Sequence, residues 1–448
     1  MKAVTLLLLA LMICPPGSAF AETIFRKPAG PVRVGDHALV DDNGPFLGLG
    51  VSYFTALWRC KNDRARLEKD LSFLSEQGFN YFRMLSMVGY NPAWEGLEIA
   101  PVAFSNKEDK RVQPWADYWE QFGALIDLAF DKYNLRTHIT IFADAQLVPG
   151  KTQRIEHMRK LLDDVVRGRE GKIILLEVAN EAWQNGFPGE QGISDLREFA
   201  SYLNARTDVP MAITSNHNVE NGFEKTYAGS DADLATWHFS RDRRASEGWE
   251  PVLDCWDLGM KPGSPPVISN EPIGPGASVA SEREPIRLVM AAAFAYVAKL
   301  PAYVFHSEAG VFGKTSFEGT IAIDKFGALL RLLPPDLPNW KRNDGKGSDA
   351  PLRVFAGGKI DRYWSEVNTA QDGCLMNAGS RNGDRFICIP IAIKPGGLQV
   401  EAQTAVRFTV HDPLSGKELK SATLEAGERF RLAPSTDALI IVGRVEPK

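Results

Sequence analysis

Two glutamates close short apolar runs: KIILLEVANE ends at Glu181 and PVISNE ends at Glu271, so each carboxylate is expected at the end of a strand. A pair of carboxyl groups suits cleavage of a glycosidic bond, in which one protonates the departing oxygen while the other attacks or stabilises an oxocarbenium-like carbon. Strand-end glutamates also occur as solvated or salt-bridged groups. The pair therefore acquires meaning only from the elements that hold it.

Those elements can be counted. Strand-like apolar runs at 46–54, 79–87, 135–142, 173–181, 211–216, 234–240, 266–271 and 302–307 alternate with helical patterns such as RARLEKDLSFLSEQG, WADYWEQFGALIDLAFDKY and RIEHMRKLLDDVVRG. Eight such repeats are the count of a (β/α)8 TIM barrel, an α/β fold whose working residues gather where strands end. Glu181 then closes the fourth strand and Glu271 the seventh, facing each other across the barrel mouth.

The 448 residues, 44% hydrophobic and 24% charged, suffice for one large core and a smaller second one. A formal charge of -5 with no long basic run argues against nucleic acid and membrane partners. The opening MKAVTLLLLALMICPPGSAFA, with Lys2, an apolar stretch and Ala19-Phe20-Ala21, reads as a signal peptide over 1–21 and predicts a periplasmic or secreted mature chain. The stretch is shorter than a spanning helix and is broken by Pro15-Pro16; Ile13 is not the small residue that usually precedes a lipidated cysteine. The Ala-rich run Leu288 to Leu300 is likewise short, contains Lys299, and reads as a buried helix.

Cys60, Cys255, Cys374 and Cys388 remain after cleavage, and none has metal-type spacing; a Cys374–Cys388 bridge and buried thiols are both open. The proline- and charge-rich LPPDLPNWKRNDGKGSDAP marks a linker, placed at 336–351, between a barrel region, 22–335, and a β-sandwich, 352–448. RFICIPIAI, VRFTVHDP, ERFRLAP and ALIIVGRV supply the antiparallel sandwich strands, which either bind carbohydrate or pack on the barrel. At the other end VRVGDHALVDDNGPF reads as a hairpin, turning at Asp42-Asn43-Gly44, that closes the barrel floor.

At this point the chain resembles the barrel superfamily of retaining glycoside hydrolases often called clan A, which includes cellulases, mannanases, β-xylosidases and β-glucosidases. Glu177-Val178-Ala179-Asn180-Glu181 looks like the clan's strand-four motif, where an Asn precedes the acid/base Glu, and Ser269-Asn270-Glu271 is similar to its nucleophile segment. Arg83 stands where the clan carries a strand-two arginine, and His238 where it often uses Tyr or His beside the nucleophile. The architecture is covered from about residue 30 to 335, the specific motifs over about ten residues. Ala182-Trp183 replace the proline of many cellulase-like members, and Phe305-His306 replaces the Trp that commonly floors the sugar site; both blur family and substrate.

The resemblance implies a double displacement without cofactor, with Glu181 as general acid then base, its pKa raised, and Glu271 as nucleophile. A retaining pair stands about 5–5.5 Å apart. Asn180 would bind a sugar 2-hydroxyl, and Arg83 would hold Glu271 ionised. Glu177, on the same strand face as Glu181, is expected to be structural, partnered by Arg83 or His138. Glu308 is a rival nucleophile ranked behind Glu271.

His138, His217, His238 and His306 fall near strand ends, but the first strand lacks the His-x-His pair of metal-dependent barrels, so no metal is expected. His238 and His306 read as hydrogen-bond donors to sugar or to Glu271, with packed histidines as the alternative. Trp58, Trp94, Trp183, Trp237 and Trp256 are candidates to stack on a pyranose, with Trp183 favoured and core packing the alternative. Gly310-Val311-Phe312-Gly313-Lys314-Thr315 lacks the first glycine of a phosphate loop, and residues 87–114 should wall the cleft. Two function classes remain: a secreted retaining β-glycoside hydrolase acting on a polysaccharide or oligosaccharide, or a non-catalytic carbohydrate-binding barrel. A transglycosylase would share the first one's residues.

Overall fold

The computed structural model describes residues 27–101, 112–215, 217–238, 249–258, 265–276, 281–343, 350–356, 359–360, 375–392, 398–433 and 438–447. The expected signal segment and Cys374 lie outside these, as do residues 102–111 of the expected cleft wall and the side chain of Trp256.

Eight parallel strands form one barrel sheet: Gly48–Ser52, Tyr81–Leu85, Arg136–Phe142, Ile173–Ala179, Met211–Ala212, Ala235–His238, Val267–Glu271 and Ala302–Phe305. Their near-continuous burial explains why most appear in the sequence as largely apolar runs, since helices cover the outer face and side chains fill the inner one; the polar exceptions, such as Arg83, His138 and Glu177, are themselves buried. The fifth and sixth strands meet through a looser seam. Asp233 and Leu234 donate backbone N–H groups to the Met211 carbonyl at 2.9 and 3.1 Å. The buried Tyr227 hydroxyl accepts from Thr214 N–H at 3.0 Å and from Thr236 N–H at 3.1 Å, joining strand ends that do not pair directly.

An N-terminal meander, Arg33–Gly35, Ala38–Asp41 and Gly44–Phe46, closes the floor. Leu39 and Phe46 pack with Tyr81, Ile174, Leu175, Ile268 and Ala302 in one apolar layer. Gly50 is required here: a Cβ would stand 2.3 Å from the Tyr81 ring, so only glycine lets that ring fill the barrel centre. The buried Arg136 ties the meander down, 3.1 Å from Asp41 and donating to the Gly30 and Gly171 carbonyls.

The predicted helices appear as Arg64–Glu76, Tyr118–Tyr133 and Lys151–Lys160, the last running into a π-helical turn, Leu161–Val166. Asp63 caps the first by accepting from Arg66 N–H. The Ala-rich run is the helix Pro285–Val297, buried throughout from Leu288 to Val297. Among the described residues no helix is long and apolar enough to cross a membrane.

The C-terminal region is a β-sandwich of a six-stranded and a four-stranded antiparallel sheet. Arg385–Ala392 shows why RFICIPIAI is apolar at nearly every position: Phe386 and Cys388 enter the sandwich core, while Ile387, Ile389 and Ile391 join the barrel's core. Both faces of this strand are buried, which packs the sandwich onto the barrel. The stretch 336–351, read as a linker, carries structure at its start: Leu337 and Trp340 are buried, and Lys341–Asn343 pairs with Leu375–Asn382. Two apolar anchors among prolines and charges are enough to dock it.

Candidate active site

Strand alternation decides which side chains can meet inside the barrel. On the second strand Tyr81 belongs to the floor layer, and Arg83, two residues on, occupies the layer above, fully buried. A buried guanidinium needs acidic partners and acceptors in plane with its fork. Arg83 finds them on two other strands: Nε and Nη2 donate to Glu177 Oε2 at 3.1 and 2.9 Å, Nη1 to Glu271 Oε1 at 2.6 Å, and Nη2 also to Asn180 Oδ1 at 2.8 Å.

Glu177 anchors this network. Its Oε2 also accepts from Thr140 at 2.6 Å, its Oε1 from Asn270 Nδ2 at 2.9 Å, and His138 Nε2 stands 3.5 Å away. Burial pushes the Glu177 carboxyl up, but the attraction of Arg83, with His138 and Thr140, reverses this and holds it well below the usual carboxylate range. Burial lowers the His138 pKa despite Glu177 beside it. Both partners foreseen for Glu177, Arg83 and His138, are therefore present.

Asn270 and Glu271 are adjacent, yet both reach the same cluster, which a regular strand forbids because neighbours point to opposite faces. The reason is an irregularity: pairing with the sixth strand shifts register between Ser269 and Glu271, and Glu271 comes opposite His238. A bulge of this kind re-aims one side chain into the mouth. At the fourth strand a different device acts. The strand ends at Ala179, and Glu181 adopts φ 39°, a left-handed backbone that costs a non-glycine residue roughly 1–2 kcal/mol.

His238 joins the two carboxylates. Its Nδ1 stands 3.1 Å from Glu181 Oε1 and its Nε2 3.4 Å from Glu271 Oε1. The ligating atoms of Glu181, His238 and Glu271 all lie within 4.8 Å of one another, so the opposed carboxylates are neighbours. Glu271 is almost wholly buried, whereas the Glu181 side chain is 20% exposed. His306 Nε2 comes within 4.0 Å of Glu271 Oε2, its Nδ1 fixed 2.8 Å from the Ser52 hydroxyl. The Phe54 ring lies beneath the Arg83 guanidinium at 5.3 Å.

Glu181, Glu271, Arg83, Asn180, His238 and His306 thus form one cluster at the strand ends. Of the tryptophans, Trp183 is half-buried with its ring against His217, and Trp237 is half-buried against Phe223 of the helix Gly222–Tyr227. Trp94 donates to the Val311 carbonyl at 2.7 Å, fastening the loop after the second strand to the turn after the eighth. Glu308 lies against Gly276 at the start of a short helix, Glu308–Val311. Phe305 turns outward into the helix layer against Phe79 and Phe326. Two residues escaped notice in the sequence. Gln184 donates to Glu181 Oε2, and Asn185 donates to the carbonyls of Asn180 and Glu181 at 2.9 and 3.3 Å. Their only sequence signal is spacing, amides within one turn of a strand-end glutamate.

The Glu181, His238 and Glu271 spacing would also admit a metal ion. Glu271 Oε1, however, already accepts from the Arg83 guanidinium at 2.6 Å, so that oxygen is engaged in the ion pair.

Searches against family models and against curated proteins find no match for this sequence. Among solved structures, the chain is similar to a glycoside hydrolase at 14% identity and TM-score 0.63, covering 94% of this chain and 98% of that one. It is similar to a glycoside hydrolase family 5 protein from Bacteroides vulgatus at 13% identity and TM-score 0.64, with 93% of each chain covered. A third similar structure is a GH30 endoxylanase from Clostridium papyrosolvens, at 10% identity and TM-score 0.53, covering 93% of this chain and 99% of that one. At such identities the likeness defines the fold. The chain shares the fold of these proteins, a (β/α)8 barrel with a C-terminal β-sandwich.

Proposed function

We propose that this chain is a secreted retaining β-glycoside hydrolase acting on a polysaccharide or oligosaccharide, with Glu181 as acid/base and Glu271 as nucleophile. The observation that carries the reading is the opposed pair itself: two carboxylates from different strands with ligating oxygens within 4.8 Å, spanned by one imidazole. That spacing favours double displacement, since an inverting pair leaves room for a water at roughly 6.5–9.5 Å.

The environments divide the roles. A neutral imidazole offers one N–H and one lone pair, so with both carboxylates ionised one of its two contacts would be repulsive. Glu271 is the group held ionised, by the guanidinium at 2.6 Å, which suits a nucleophile. Glu181, which makes no bond to that guanidinium, is assigned the proton. In the first step Glu271 Oε attacks the anomeric carbon as Glu181 passes its proton to the leaving oxygen. In the second, Glu181 takes a proton from water, which displaces Glu271. Asn180, its oxygen engaged by Arg83, turns its amide donors to a sugar hydroxyl. His238, His306, Trp183 and Trp237 complete the proposed substrate contacts.

The test is hydrolysis of a panel of β-linked polysaccharides and aryl β-glycosides by the mature chain beside Glu271→Gln, with the anomer first released followed by NMR. Retained configuration, lost in the variant, is the expected result. Activity that survives Glu271→Gln, or an inverted product, overturns the assignment. Sugar binding without turnover across the panel would move the chain to the non-catalytic class.

A further inference from the structure

We infer that the turn following Glu181 is a clasp built to set that residue's position and protonation, with Gln184 and Asn185 as its two positioning residues; the inference rests on the acid/base role proposed for Glu181. The clasp acts on different parts of one residue. Asn185 spends both amide hydrogens on the carbonyls of Asn180 and Glu181, at 2.9 and 3.3 Å, and the Gln184 backbone N–H adds a bond to the Glu181 carbonyl at 3.1 Å. These bonds fall on the segment whose backbone is strained, φ 39° at Glu181, and hold it there. Further bonds from Asn185 N–H and Phe187 N–H to the Ala182 carbonyl, at 3.2 and 2.9 Å, close the turn on itself.

With the backbone held, the side chain of Gln184 reaches back to donate to Glu181 Oε2, while His238 on the sixth strand addresses Oε1 at 3.1 Å. Each oxygen of the carboxylate is thus met by a different element. An N–H aimed at a carboxylate favours its ionised form. Gln184 therefore pulls against the proton that the first step needs and supports the base that the second step needs. An acid/base must serve both, so its protonation has to be balanced rather than pushed one way. Alongside Gln184, Glu181 is faced by His238, by Glu271 across the cleft, and by Arg83 through Asn180 and Glu271. Of these, Gln184 can be changed without touching Glu271 or its guanidinium.

The experiment titrates the Glu181 carboxyl directly, by carbon NMR of the glutamate-labelled chain, with the resonance assigned by its absence in Glu181→Gln. Gln184→Met keeps length and removes the donor; Gln184→Glu replaces it with a like charge. The midpoint should rise by about one pH unit in the first, the lower end of what a hydrogen bond to a charged group contributes, and further in the second. The alkaline limb of kcat/KM should follow it. Asn185→Asp, which loses the donors to the backbone, should lower kcat more than it raises KM, and Asn185→Ser should restore less than half of the loss. An unmoved Glu181 midpoint in both Gln184 variants overturns the clasp. A parent chain inactive on every glycoside overturns the functional reading instead, while the midpoint still decides the clasp.

Discussion

Arg83 and Glu271 stand on strands separated by 188 residues of chain and meet at 2.6 Å, both side chains almost wholly out of water. The same guanidinium holds Glu177 at 2.9 Å, so one cation serves two buried carboxylates. Removing it leaves both uncompensated, a situation that costs about 3–5 kcal/mol. Arg83→Met should lower the unfolding free energy from urea titration by that much, and Arg83→Lys should recover only part, because an ammonium lacks the fork. A variant as stable as the parent would show that the pair contributes no net stability.

The two glutamates should separate by substrate. Glu181→Gln should lose on the order of 10²–10⁴-fold on substrates with poor leaving groups, the range of general acid catalysis, and much less on activated aryl glycosides. Glu271→Gln should fail on both. Equal losses for Glu181→Gln across leaving groups would remove it from the acid role.

The barrel seam makes a purely structural prediction. Tyr227→Phe deletes the acceptor of two buried backbone N–H groups, Thr214 and Thr236, and should cost about 2 kcal/mol or more. Faster hydrogen exchange at those two amides, against an unchanged floor layer, is the signature to measure.

Acid should weaken the fold through His157. It is buried among the rings of Tyr118, Trp119 and Phe142, neither ring nitrogen has a hydrogen-bond partner among the described residues, and burial pulls its pKa down from 6.5 to about 3. The unfolded chain takes the proton more readily, so stability falls as pH drops below 6.5 and goes on falling to about 3. At pH 5 the loss is about 2 kcal/mol. His157→Phe should flatten that slope between pH 7.5 and 5 in urea titrations; an identical slope would place the acid sensitivity elsewhere.

Much of this molecule was legible in the chain, and for definite reasons. Parallel strands covered on both faces read as apolar runs, which is why eight runs marked eight strands. The two glutamates were visible because a strand end follows from where a run stops. Glu177 could be assigned a buried partner because an inward carboxylate must have one, and Arg83 was among the few cations on an inner position.

What the sequence by itself determined, then, was local: period, strand ends, and the kinds of side chain on an inner face. Tertiary structure alone decided the rest. Alternation would have sent Asn270 and Glu271 to opposite faces, and only the register shift against the sixth strand turns both inward. The left-handed backbone of Glu181 and the reach of Gln184 and Asn185 depend on a turn that no propensity singles out. The contacts of His238 with two glutamates 57 and 33 residues away exist because barrel closure brings the fourth, sixth and seventh strands to one rim. Distances of that kind are set by the sum of all strand pairings, and no window of sequence contains them.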